Sequence, residues 1–113
     1  MPTPLTPAVF HILLALASGE RHGYGIMKDV LEQSDGAVRL GPGTLYGTLQ
    51  RLIESGFVAE APRAGPRTVS GRDRRYYRIT AKGRGALDGD VERLEHVMRV
   101  VRAVKEGPRG SRS

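Results

Sequence analysis

The stretch from Val9 to Ala17 constrains this chain more than any other. Val9, Phe10, Ile12, Leu13, Leu14 and Leu16 are so dense that, wound into a helix, they cover nearly its whole circumference. A helix apolar all round must be buried on more than one side. A chain of 113 residues has room for one compact core and little more, so this helix already points to a partner chain. Thr6 and Pro7 mark its start, a capping hydroxyl followed by a proline at the first helical position, and Gly19 stops it.

Punctuation divides the rest. Ile26, Met27, Val30 and Leu31 predict a second helix over Gly23–Gln33, ended by Ser34, Asp35 and Gly36. Val38-Arg39-Leu40 predicts a very short strand. Gly41-Pro42-Gly43-Thr44 opens a third helix with Leu45, Leu49, Leu52 and Ile53 as its buried stripe, closed by Ser55-Gly56. Phe57–Ala61 and Arg74–Thr80 read as the strands of a hairpin around a Pro-, Gly- and Arg-rich loop. Thr80 caps a last helix reaching about Val104, although Gly83, Gly85 and Gly89 weaken its first turns by up to about 1 kcal/mol each and put its start at Thr80 or later. Its apolar residues Leu87, Val91, Leu94, Met98, Val101 and Val104 make a narrow seam of the coiled-coil kind, which wants another helix.

The expected fold class is α+β and mostly α: a winged helix-turn-helix domain over residues 5–80, an added C-terminal dimerisation helix over 81–105, and a disordered tail over 106–113. The hairpin is the wing, and the third helix is the one that would enter a major groove.

Charge placement agrees with a polyanionic partner. Between Ala61 and Arg84, eight Lys or Arg face a single acid, Asp73, so this segment carries +7 of a total of +6 and the remainder is near −1. Neutralising phosphates releases counterions, although a solvated loop kept for solubility has the same composition. The chain has no Cys, which excludes disulfides, Cys-ligated metals and thiol nucleophiles. His11, His22 and His96 lie on different helices without ligand-like spacing, and no Ser, His and acid grouping marks a nucleophile. Gly41-Pro42-Gly43 lacks the Gly-Lys-Ser/Thr ending of a phosphate loop. Neither an enzyme nor a cofactor is expected. The apolar run is too short for a membrane span and lacks a signal peptide's flanks, so a cytoplasmic location is expected.

Three stretches make a family likeness specific: His22-Gly23-Tyr24-Gly25-Ile26, Gly41-Pro42-Gly43-Thr44-Leu45-Tyr46 through Arg51-Leu52, and Arg74-Arg75-Tyr76-Tyr77-Arg78-Ile79-Thr80 with Gly83. In this order and separation the chain resembles the PadR family of bacterial transcriptional regulators, in its short branch with one C-terminal helix. The resemblance implies repression by a homodimer on a roughly palindromic operator, in some relatives released by a small apolar effector at the dimer interface. Gly41 and Gly25 stand where the family commonly has a capping residue and an acid. Leu94 stands where some short members carry a Trp that lines a drug-binding cavity.

The residues expected to meet DNA follow. With Leu45, Leu49 and Leu52 inward, Thr44, Gly47, Thr48 and Arg51 are assigned to the accessible side of the third helix, where short side chains allow close approach and Arg can pair with guanine or a phosphate. Tyr46 and Tyr24 are either phosphate contacts or packing rings. Alternation in the second wing strand turns Tyr77 and Ile79 inward and Arg74, Tyr76 and Arg78 outward. Arg72, Arg74 and Arg75 are the wing's phosphate or minor-groove candidates, while Arg63 and Arg67 read as solvated. The dimer interface is assigned to Phe10, Leu13, Leu14, Leu87, Val91, Leu94, Met98 and Val101. The alternative functions are a winged-helix protein–protein adaptor, which would need an apolar outer face on the third helix, and single-strand or RNA binding, which would need an aromatic platform.

Overall fold

The computed structural model describes residues 4–61 and 75–107. The elements run α1 (Pro7–Ala17), β1 (Arg21–His22), α2 (Gly23–Gln33), α3 (Pro42–Glu54), β2 (Val58–Glu60), β3 (Tyr76–Ile79) and α4 (Ala81–Glu106). This is the expected winged helix-turn-helix, three helices followed by an antiparallel wing, with a long helix added.

The caps are those expected. Thr6 accepts a hydrogen bond from the Val9 amide at 3.2 Å, and Pro7 opens α1. Gly56 at φ 84° closes α3: its amide bonds to Ile53 O at 3.0 Å and the Phe57 amide to Leu52 O at 2.9 Å. A positive φ of this kind favours glycine, and the two bonds are those of the Schellman motif. Phe57 and Leu52 both continue into the core.

One strand was not legible. Val38-Arg39-Leu40 is not a strand; Ser34 holds Val38 from both sides, its Oγ accepting from the Val38 amide at 2.9 Å and donating to Val38 O at 3.4 Å. The third strand is β1, polar and two residues long. It pairs with β3 (Arg21 with Tyr77, His22 with Tyr76), so β3 is central in the order β1-β3-β2. Arg21 is anchored there by its Nε bond to Asp29 at 2.9 Å.

The core joins Ile12, Leu13 and Leu16 of α1 to Ile26 and Val30 of α2, Leu45, Leu49 and Leu52 of α3, and Tyr77 and Ile79 of β3. The start of α4 belongs to it as well. Leu87 is buried, and a Cβ at Gly83 would collide with the Phe57 carbonyl oxygen. Glycine at that position lets two backbones touch, so α4 begins directly after the Thr80 cap, whose Oγ1 accepts from the Gly83 amide at 3.0 Å. Buried Asp90 accepts from the Leu5 amide at 3.3 Å and from Arg93 Nε at 3.2 Å, tying the chain before α1 to α4. No helix among the described residues is long and apolar enough to cross a membrane.

Two of the assigned interface residues are therefore already spent. Leu13 is fully buried and Leu87 is 5% exposed within one chain. They serve the core because α1 and the first turns of α4 pack on each other and on β3. From Glu92 onward α4 stands clear of the core, with every residue to Glu106 exposed. Its apolar stripe is Leu94, Val97, Met98, Val100, Val101 and Val104, and on α1 Leu14 is exposed and Phe10 half-buried.

Candidate nucleic-acid interface

At 3.6 residues per turn, Leu45, Leu49 and Leu52 align on the inner side of α3. Thr48 lies only about 60–70° from their mean direction and is 4% exposed, which corrects its assignment to the accessible side. The directions truly opposite the leucines belong to Gly43, Gly47, Gln50 and Glu54, flanked by Thr44 and Arg51; all six are exposed. Around Gly43 and Gly47 a Cβ would meet nothing within 4 Å. The outer face of α3 is thus polar and smooth, as a surface that must approach base edges closely requires. Thr48 sits behind it, its Oγ1 accepting from an Arg51 terminal nitrogen at 3.4 Å. Gln50 was missed by the sequence reading and bonds Glu54 at 3.3 Å one turn on; helical angles alone could have found it.

The two tyrosines part company. Tyr24, at the start of α2, is 67% exposed, with its ring stacked beside His22, whose Nδ1 caps α2 by accepting from the Gly25 amide at 3.1 Å. Tyr46 is 48% exposed but lies against Gly23, where a Cβ would overlap its hydroxyl. It therefore packs α3 on the start of α2 while keeping one side to solvent.

In the wing, the expected alternation is present: Tyr77 and Ile79 are buried, Tyr76 is half-buried and Arg78 is exposed. Burial pushes the Tyr77 phenol above its usual range, helped by Tyr46 and Glu60 and opposed by Arg75. Arg75 lies 3.6 Å from Glu60, with both side chains largely exposed. Such pairs are worth about 0–1 kcal/mol, so this one can yield to a phosphate. Arg72 and Arg74 lie outside the described residues, as do Arg63 and Arg67. Two other cations of the basic stretch have internal work. Lys82 Nζ donates to Ser55 O at 2.8 Å and Arg84 to Ala17 O at 3.2 Å, each at the carbonyl end of a helix, where positive charge is favoured.

Residues 12–89 match the Transcriptional regulator PadR-like family. The chain belongs to that family. Its members are transcriptional regulators and not enzymes. This PadR-like regulator is 41% identical over 91 residues to the transcriptional regulator Rv3488 of Mycobacterium tuberculosis, covering 80% of this chain and 78% of the relative. It is similar to the structure of a transcriptional regulator from Clostridium thermocellum, with TM-score 0.67, 26% identity and coverage of 84% and 86% of the two chains. The structure of Bacillus subtilis PadR in complex with operator DNA shares the fold at TM-score 0.65 and 22% identity, over 78% of this chain and 48% of that one.

Proposed function

We propose that this PadR-like regulator binds duplex DNA sequence-specifically as a cytoplasmic homodimer and represses transcription. The observation that carries the reading is the outer face of α3, polar, glycine-lined and unobstructed; a fold like this one occurs in Bacillus subtilis PadR, whose structure is of a complex with operator DNA. In this reading Thr44, Gly47, Gln50 and Arg51 face base edges. Tyr24, Tyr46, Arg72, Arg74 and Arg75 contact the backbone, and Thr48 acts only by bracing Arg51. Two α3 helices held about one DNA turn apart would read the half-sites of a roughly palindromic operator.

The dimer would form through the apolar face that α4 leaves uncovered, together with Phe10 and Leu14 of α1 and half-buried Val91. Where relatives are released by a small apolar effector, the same face is its place here. Leu94 offers it an aliphatic contact in place of an aromatic stack.

A titration against duplex DNA, single strands and RNA at two salt concentrations tests the function. Duplex is expected to bind tightest, with affinity falling steeply as salt rises. Replacing Arg74 and Arg75 with Ala should flatten the salt slope by about one unit per lost phosphate contact and weaken all sequences alike. Equal binding to all three nucleic acids, or to none, would refute the reading; binding to none would leave the adaptor.

A further inference from the structure

We propose that Asp90 is a positioning residue. By accepting from the Leu5 amide it fixes the direction in which α4 leaves the core, and so the spacing between operator half-sites that the dimer accepts. Asp90 is the one charged side chain that is buried among the described residues, at 2% exposure. Its Oδ1 accepts from the Leu5 amide at 3.3 Å and from Arg93 Nε at 3.2 Å. Leu87 and Asp90 are the last buried residues of α4, and residues 92–106 are all exposed. Gly85 and Gly89 precede this point, both exposed, and a Cβ at either would meet nothing within 4 Å. The helix thus reaches Asp90 through a stretch of low propensity with no side chains to brace it. Asp90 is where its direction is set.

An apolar side chain at this position would hold α4 on the core without the cost of desolvating a carboxylate. Apolar contact is non-directional, however, whereas a hydrogen bond to a backbone amide has a preferred line. Direction is what the exposed arm amplifies. Residues 92–106 extend about 22 Å at roughly 1.5 Å per residue. A tilt of about 10° at Asp90 moves the far end by about 4 Å, close to the roughly 3.4 Å rise of one base pair. With the far part of α4 pairing two chains, such a tilt changes the separation of their α3 helices by about one step of DNA. The link from the direction of α4 to half-site spacing, and that link alone, rests on the proposed dimer and its DNA binding.

The chain has no Cys, so Glu32→Cys on α2 and Arg102→Cys on α4, both at exposed positions, can carry one nitroxide label each. Double electron–electron resonance on labelled chain diluted with unlabelled chain reads the distance between them within one molecule, without DNA. The labelled parent should give a narrow distribution and Asp90→Ala a broad one. Asp90→Asn keeps an oxygen for the Leu5 amide and should stay narrow. Thermal unfolding should remain cooperative in all three. A distribution that stays narrow in Asp90→Ala, or broadens as much in Asp90→Asn, overturns the role of Asp90. Loss of folding in Asp90→Ala would make it a support of the core and overturns the role as well. Spacing is read on a duplex that the parent selects from a random pool, remade with one base pair added or removed between the half-sites. The parent should bind the altered lengths about tenfold more weakly, a modest cost for deforming DNA. Asp90→Ala should bind all lengths alike, and Asp90→Asn should keep the preference. A parent indifferent to length, or Asp90→Ala with the parent's preference, overturns the link to spacing. A parent that selects no duplex refutes the DNA reading, and the label distances still decide whether Asp90 directs α4.

Discussion

The hydroxyl of Tyr46 on α3 lies directly over Gly23, the first residue of α2, in the space a Cβ would occupy. The contact joins the first motif of the family likeness to the second and sets how the two helices of the helix-turn-helix meet.

Gly23→Ala should therefore destabilise the fold by about 1–3 kcal/mol, the usual range for overpacking a filled site. Adding Tyr46→Leu should restore most of that loss, because it removes the ring the methyl group strikes. Urea unfolding of the two single variants and the double variant measures the coupling. Additive effects would mean the two residues do not touch.

The glycines of α4 divide in the same way. At Gly83 a Cβ would collide with the Phe57 carbonyl, whereas at Gly85 and Gly89 it meets nothing within 4 Å. Gly85→Ala and Gly89→Ala should each stabilise by about 0.5–1 kcal/mol through helix propensity. Gly83→Ala should cost about 2 kcal/mol or more, since a backbone oxygen cannot swing aside. Thermal unfolding should place the first two above the parent chain and the third below it.

His11 gives stability a pH dependence. Burial pushes its imidazole below the usual 6.5, and Gln33 Nε2 lies 3.0 Å from His11 Nδ1 and donates to His11 O at 2.7 Å. The folded state thus favours the neutral ring, and the unfolded chain takes up the proton first as pH falls. The contribution is complete above about 6.5 and is lost as pH falls through the folded value. Urea midpoints at pH 7.5 and 5.0 should fall further for the parent chain than for His11→Gln. Equal drops would remove His11 as the cause.

The outer stripe of α4 should hold two chains together. Leu94→Glu with Val101→Glu puts charge where Leu94, Val97, Met98 and Val101 are exposed, and should give monomers that keep their helical content, since none of these residues supports the core. Sedimentation velocity distinguishes the species. A parent chain that is monomeric at micromolar concentration would end the dimer model.

Much of the fold is legible in the sequence, and each miss has its own physical cause. The limits of α2 and the closure of α3 followed from apolar spacing and from glycine and serine signals at the ends. β1 escaped because Arg21 and His22 are polar and carry no alternation; the strand exists only because β3 offers an edge and Asp29 holds Arg21. Val38–Leu40 looked like a strand because its residues favour one, yet Ser34 satisfies Val38 locally. Leu13 reads as a partner contact because an all-apolar helix shows no preferred face, and Leu87 because it opens the seam of α4; only packing reveals that the chain itself covers that side of α1 and the first turns of α4. Thr48 was placed outside by residue type, although its helical angle already put it near the leucines.

That last correction sharpens the test of which residues read sequence. Arg51 and Gln50 are exposed on the outer half of α3, whereas Thr48 is buried behind Arg51 at 3.4 Å. Phosphate contacts set register, and only contacts to base edges distinguish one base pair from another. Arg51→Ala and Gln50→Ala should each cost about 1–3 kcal/mol on the preferred operator and much less on random duplex, narrowing the gap between them. Thr48→Val removes the hydroxyl but keeps the buried volume, so its whole effect on DNA should pass through Arg51. In an Arg51→Ala background it should change operator affinity no further, and binding isotherms of the two single variants and the double variant decide this. If Thr48→Val instead weakened operator binding as much in that background as alone, Thr48 would act on DNA by a route other than Arg51.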